Sequence, residues 1–263
     1  MGSATTQALA ATTAALDGAA GIDLAVAGEL FAAARALGQS SQLAGALADS
    51  AASTQARAKV VADVFGAALQ PTTVKLLTTA VEQRWSSPDD LVDAVEELAV
   101  RGAAHSAAGA DVEGELFRFS RTVAANPELE LALGSRLGDD SAKGALVRTL
   151  LQGRASDATT LIVSSLVQQP RERRVRQLLN RAMDLVAEQR GRTVATVVSA
   201  VPLSSAQTER LSAALSKRYG GTVALNAVVD PKVVGGVRVH IADDVIDASV
   251  SARLADLRQR IAG

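Results

Sequence analysis

The chain has 263 residues, 48% hydrophobic but only 2% aromatic, and its 27 basic and 28 acidic side chains nearly cancel. That length can bury a sizeable core in one large or two small domains, and the balanced charge argues against nucleic-acid binding through an overall field. Without cysteine there are no disulfides, thiolate nucleophiles or thiolate metal sites, and no apolar run reaches the roughly 18 residues that span a bilayer.

A core of Ala, Leu and Val with few rings suits closely packed helices. Met1 to Leu16 is apolar but lacks the basic flank of a signal peptide. Leu30, Ala33, Ala34 and Leu37 recur at helical spacing, as do Val60, Val61, Val64, Phe65 and Ala68, and then Val74, Leu77 and Val81. After Trp85, Ser87 can cap a new helix, Pro88 suits its first position, and Asp89 and Asp90 favour the positive end of its dipole. Leu91, Val92, Val95, Leu98 and Ala99 form its apolar face, and Gly102 to Gly109 reads as a small-residue linker. Asn126-Pro127-Glu128 marks a further break.

After Gly191 the period changes. Val194, Thr196 and Val198 alternate with Ala195, Val197 and Ser199, a strand signal. Ser204 and Gln207 form a capping box for a helix with Leu211, Leu215 and Tyr219 on one stripe. Val223, Leu225, Ala227 and Val229 alternate again, Asp230-Pro231 opens a turn, and Gly235-Gly236 precedes Val237, Val239 and Ile241, which suggests an antiparallel hairpin. Val250, Leu254, Leu257 and Ile261 line one stripe of a final helix. The expected fold is mainly α: an N-terminal helical bundle over 1–108, a second helical segment over 109–191, and a small α/β domain over 192–263 built as strand, helix, hairpin, helix.

The two helical segments repeat each other. At a shift of about 86 residues, Glu29, Leu30, Phe31 and Arg35 meet Glu115, Leu116, Phe117 and Arg121. Leu43, Ala46 and Leu47 meet Leu129, Ala132 and Leu133, and Thr73, Val81 and Gln83 meet Thr159, Val167 and Gln169. Charged and aromatic identities at one constant offset point to an internal duplication.

No catalytic, cofactor or metal constellation emerges. His105 falls in the linker and His240 on a strand, neither with a second ligand at metal spacing, and Asp139-Asp140 and Asp243-Asp244 fit turn and cap roles. Gly235 and Gly236 precede a strand and lack a following Lys-Ser/Thr, so a turn needing positive φ explains them better than a phosphate loop. Arg171, Arg173, Arg174, Arg176 and Arg181, with Arg190 and Arg192 beyond, form the most basic stretch. With no aromatic interleaved, a solvated helix face is its default reading, and an acidic partner the second.

The run from Val229 through Asp230-Pro231-Lys232-Val233-Val234-Gly235-Gly236 to Val239 resembles the C-terminal signature of the ATP synthase delta subunit family, which includes the mitochondrial oligomycin-sensitivity-conferring protein. Val197 to Leu203 upstream and Val245 to Val250 and Leu254 to Leu257 downstream agree with it, while Ala27 to Leu37 and Gln55 to Ala80 resemble the family's N-terminal helices more loosely. The duplicated helical segment departs from the usual single bundle. The resemblance implies a non-catalytic peripheral-stalk connector on the cytoplasmic face of the cell membrane, without direct membrane insertion. It implies that a bundle groove receives the N-terminal segment of the alpha subunit, with Leu30, Phe31, Val74 and Leu77 as candidate lining. It also implies that the C-terminal domain holds the end of the b subunit, with Val250, Leu254, Leu257 and Ile261 on that side and Asp230, Pro231, Gly235 and Gly236 as the signature. The rival reading is a helical-repeat adaptor for an unrelated protein, or for nucleic acid through the arginine stretch.

Overall fold

The computed structural model describes residues 2–135, 138–171, 173–241, 244–250 and 254. The chain divides into two compact units, Met1–Val186 and Ala187–Gly263, and the first holds the helical copies as far as Val186. That unit is helical. α1 (Ser3–Asp17), α2 (Leu24–Gln39), α3 (Ser41–Ala48), α4 (Thr54–Phe65), α5 (Pro71–Glu82) and α6 (Pro88–Ser106) are followed by α7 (Val112–Ala125), α8 (Pro127–Gly134), α9 (Asp140–Leu151), α10 (Asp157–Gln168) and α11 (Val175–Gln189). Local chemistry sets most of the starts. Ser40, Ser53, Ser87 and Ser156 each accept a backbone N–H with their side-chain oxygen, and Pro71, Pro88 and Pro127 occupy the first turn, where a missing N–H costs nothing.

The duplication is visible in the helix boundaries. α3, α4 and α5 recur as α8, α9 and α10 with both ends displaced by the same 86 positions. The packing repeats as well: α4 lies on α5 and α9 on α10, α2 on α5 and α7 on α10. The same shift lays α1 over the interior of α6, and α6 over α11. Thr5, Ala8, Thr12 and Leu16, the buried stripe of α1, fall on Leu91, Ala94, Leu98 and Gly102, all buried. Thus α6 is the last helix of one six-helix bundle and the first of the next. A helix with two jobs must be covered all round, and its residues from Ala94 through Ala104 are buried without a break.

This double role corrects the reading of Gly102 to Gly109 as a linker. α6 continues through Ser106, and Gly102, Ala103 and Ala104 are buried. A Cβ on Gly102 would meet Ile22 and Ala27 at 3.7 Å. The small side chains let α6 approach α2 closely; the connection to α7 is the short stretch 107–111.

In the second unit, β1 (Arg192–Ser199), α12 (Ser205–Tyr219), β2 (Thr222–Val229), β3 (Val237–Ile241) and β4 (Asp244–Asp247) form a sheet of order β2-β1-β3-β4 with α12 against β2. The capping box of Ser204 and Gln207 starts α12, and Gly220, at φ 76°, stops it. Ala195, Val197, Leu215, Val223, Val239 and Ile241 make the core. The expected hairpin between β2 and β3 is not formed. β1 lies between them, parallel to β2 and antiparallel to β3. A helical crossover returns β2 parallel to β1, and β3 then pairs along the other edge of β1. On its other side β3 pairs antiparallel with β4, which the sequence pattern does not mark as a strand.

Candidate functional site

Among the described residues no group of three or more His, Cys, Asp or Glu side chains could hold a metal ion. His105 is exposed in the last turn of α6, and His240 is exposed on β3.

Leu30, Phe31 and Leu77 are buried in the core of the helical unit, and Val74 is partly buried against it. α1 packs on α5, which carries Val74 and Leu77, and on α6. Thr5 anchors α1, its hydroxyl donating to Asp90 Oδ2 at 2.7 Å and sharing a further hydrogen bond with the Ser86 hydroxyl at 2.9 Å. Where the start of α1 meets the end of α5, Ser3, Gln7, Gln83 and Arg84 border a cleft of about 480 Å³. The hydropathy pattern alone does not reveal α1. Its signal is Thr5, Ala8, Thr12 and Leu16, mostly small residues at helical spacing that carry little hydropathy.

One device occurs in both copies. Glu29 accepts from the backbone N–H of Gln70 at 3.0 Å and from the Thr73 hydroxyl, satisfying the free N-terminus of α5. Glu115 does the same for α10, accepting from Ser156 N at 2.9 Å, Ser156 Oγ at 2.6 Å and Thr159 Oγ1. Burial alone would raise the Glu115 pKa. The hydrogen bonds from Ser156 and Thr159 outweigh it and hold this carboxyl below its ordinary value.

Most of the arginine stretch is engaged by carboxylates rather than simply solvated. Arg173 grips Glu96 with both guanidinium arms, at 2.7 and 2.8 Å. Arg181 reaches Glu97 at 2.6 Å, Arg171 pairs with Asp93, and Arg176 bonds Glu130 at 3.0 Å. For Arg173, burial would lower the pKa, but the hydrogen bonds it donates to Glu96, with the charge of that carboxylate, outweigh it and raise it. Asp93, Glu96 and Glu97 share one face of α6, so the network fastens Arg171, Arg173 and Arg181 onto that helix. Charges paired in this way are less available to phosphates, which weakens a nucleic-acid reading. The missed signal was complementarity between an acidic triplet on one helix and a basic run before another.

In the second unit the signature residues do backbone work. Asp230 N donates to Ser199 O at 2.9 Å, and its carboxylate accepts from Lys232 N at 3.0 Å, which turns the chain beyond Pro231. Gly235 and Gly236 have φ of 66° and 74°. Gly235 O accepts from Val250 N at 3.2 Å, and Val237 O from Ala248 N at 2.9 Å, closing the loop onto the segment after β4. Val201, Val229, Val234 and Val250 stand exposed around this end of the sheet, and Leu254 is 52% exposed. Leu257 and Ile261 lie outside the described residues, as does Asp243.

The family model described as "ATP synthase delta (OSCP) subunit" matches residues 97–261. The match begins inside α6 and takes in the second helical copy and the C-terminal unit. "ATP synthase subunit delta" of Leifsonia xyli subsp. xyli is 49% identical over 265 residues, covering 100% of both chains. That of Streptomyces griseus subsp. griseus is 42% identical over 271 residues, again covering 100% of both. The same-named protein of Streptomyces avermitilis is 43% identical over 241 residues, 90% of this chain and 88% of its own. Among solved structures, a chain of the "Cryo-EM structure of Toxoplasma gondii mitochondrial ATP synthase hexamer, composite model" is similar with a TM-score of 0.39 and 19% identity, over 64% of this chain and 97% of its own.

Proposed function

We propose, because the chain belongs to the ATP synthase delta (OSCP) subunit family, that it is the peripheral-stalk connector of an F-type proton-transporting ATP synthase, tying the catalytic hexamer to the b-subunit stalk. Members of that family are structural subunits of the synthase and are not themselves catalytic. A connector resists the torque on the hexamer, so that rotation is converted into ATP synthesis. The observation that carries this reading is the division into two units, each with its own core and its own exposed surface.

In this reading the alpha-subunit N-terminal segment lies on the α1–α5 side of the first bundle. Val74 contributes directly, and Leu30, Phe31 and Leu77 support that wall from the core. The b-subunit end meets the C-terminal unit where Val250 and Leu254 stand exposed, with Leu257 and Ile261 further along the chain. Among the described residues no helix is long and apolar enough to cross a membrane, and the proposed place is peripheral, on the cytoplasmic face of the cell membrane. Titration calorimetry of the full chain with the alpha N-terminal peptide and with the soluble part of the b subunit tests both contacts. Val74→Asp should weaken the first alone and Leu254→Asp the second alone. If the folded chain binds neither ligand, the connector reading falls.

A further inference from the structure

Equivalent helices of the two copies meet different fates. In the first bundle α3 lies against α6, and Ala44 and Ala48 are 4% and 9% exposed. Their counterparts on α8 are Glu130 and Gly134, and Gly45 is replaced by Leu131. Leu131 is 74% exposed, the most exposed large apolar side chain among the described residues. Beside it, between α8 and the start of α11, opens a pocket of about 430 Å³ whose apolar wall is Pro127, Leu131, Pro170 and Val175. This volume is within the range of sites that hold a ligand or a few inserted side chains.

The polar rim is unequal. Glu130 is engaged by Arg176, and Arg173 by Glu96. Arg174 also lines the pocket, is exposed, and has no carboxylate partner among the described residues. Among the described residues the rim therefore presents one uncompensated cation beside an apolar wall. The closed first copy shows that a six-helix bundle does not require such an opening.

We propose that this pocket docks an acidic amphipathic helix of a partner protein. One apolar side chain enters against Leu131, Pro127 and Val175, and a carboxylate about one turn away pairs with Arg174. The site shares no residue with either surface assigned above, so it stands or falls separately from the connector reading.

The test begins in the assembled native complex, with the photo-crosslinker benzoylphenylalanine at position 131. The adduct is mapped by mass spectrometry, and the crosslinked segment is made as a peptide and titrated into the purified full chain. The expected result is a single segment with Asp or Glu within a turn of an apolar residue. Its affinity should fall about tenfold or more for Arg174→Glu, recover when the peptide carboxylate is changed to Lys, and fall for Leu131→Ala. Arg174→Ala replaces the reversal if Arg174→Glu no longer melts like the parent. No adduct, an adduct only to a second copy of the chain, a segment without a carboxylate, or an affinity indifferent to Arg174 would each overturn the proposal.

Discussion

A Cβ on Gly236 would lie 2.4 Å from the carbonyl oxygen of Ala248, in a backbone whose φ is already 74°. Gly236→Ala should therefore destabilise the C-terminal unit by about 2 kcal/mol, whereas Gly221→Ala, which meets nothing within 4 Å, should change little; urea unfolding of the two variants decides. That need for glycine was readable from the sequence, because a Gly-Gly step ahead of a strand has few other physical causes. The role of Glu115 was not readable, since its partners lie 41 and 44 residues away. Glu115→Ala should cost about 1 kcal/mol, the usual value of a lost helix cap. The depressed pKa means that the unfolded chain takes up this proton first. Its contribution is thus complete above the ordinary carboxylate value and disappears as pH falls through the lower folded value. A stability profile in which parent and Glu115→Ala converge at acid pH is expected, and curves that stay parallel would contradict it.

Among elements, the fastening of Arg171, Arg173 and Arg181 to α6 separates two kinds of ion pair. Lys59 and Asp63 are 73% and 61% exposed and should contribute little. Glu96, 11% exposed, receives both arms of Arg173, so Glu96→Gln should cost roughly 2 kcal/mol. A double-mutant cycle of Glu96→Gln with Arg173→Gln should give a coupling that survives high salt at roughly that size, while the Lys59–Asp63 coupling vanishes. Helix starts were legible element by element, since Ser87-Pro88 and Ser204 with Gln207 carry their own capping chemistry. Strand partners were not. β2 and β3 are consecutive strands joined through Gly-Gly, and nothing local in either reveals that β1 separates them. The arginines were visible as a run, but their partners became visible only once α6 was known to face them.

For the whole molecule, the sequence offset announced the duplication, yet not that one helix serves both copies. The identities thin out where α1, α6 and α11 should align, because α6 buries side chains on faces that α1 and α11 leave open. The two bundles should accordingly unfold as one cooperative step. Leu98→Ala, deleting a side chain 2% exposed within α6, should cost about 3 kcal/mol, and hydrogen exchange should quicken in α2 and α10 together. Separate transitions for the two copies would contradict the shared helix. A duplicated module strung on a linker adds a compliant joint wherever one copy ends and the next begins. Here the junction is a continuous rod, so a longer chain is gained without a softer one: a pull applied at the first bundle reaches the second through a single stiff helix, with no slack to take up.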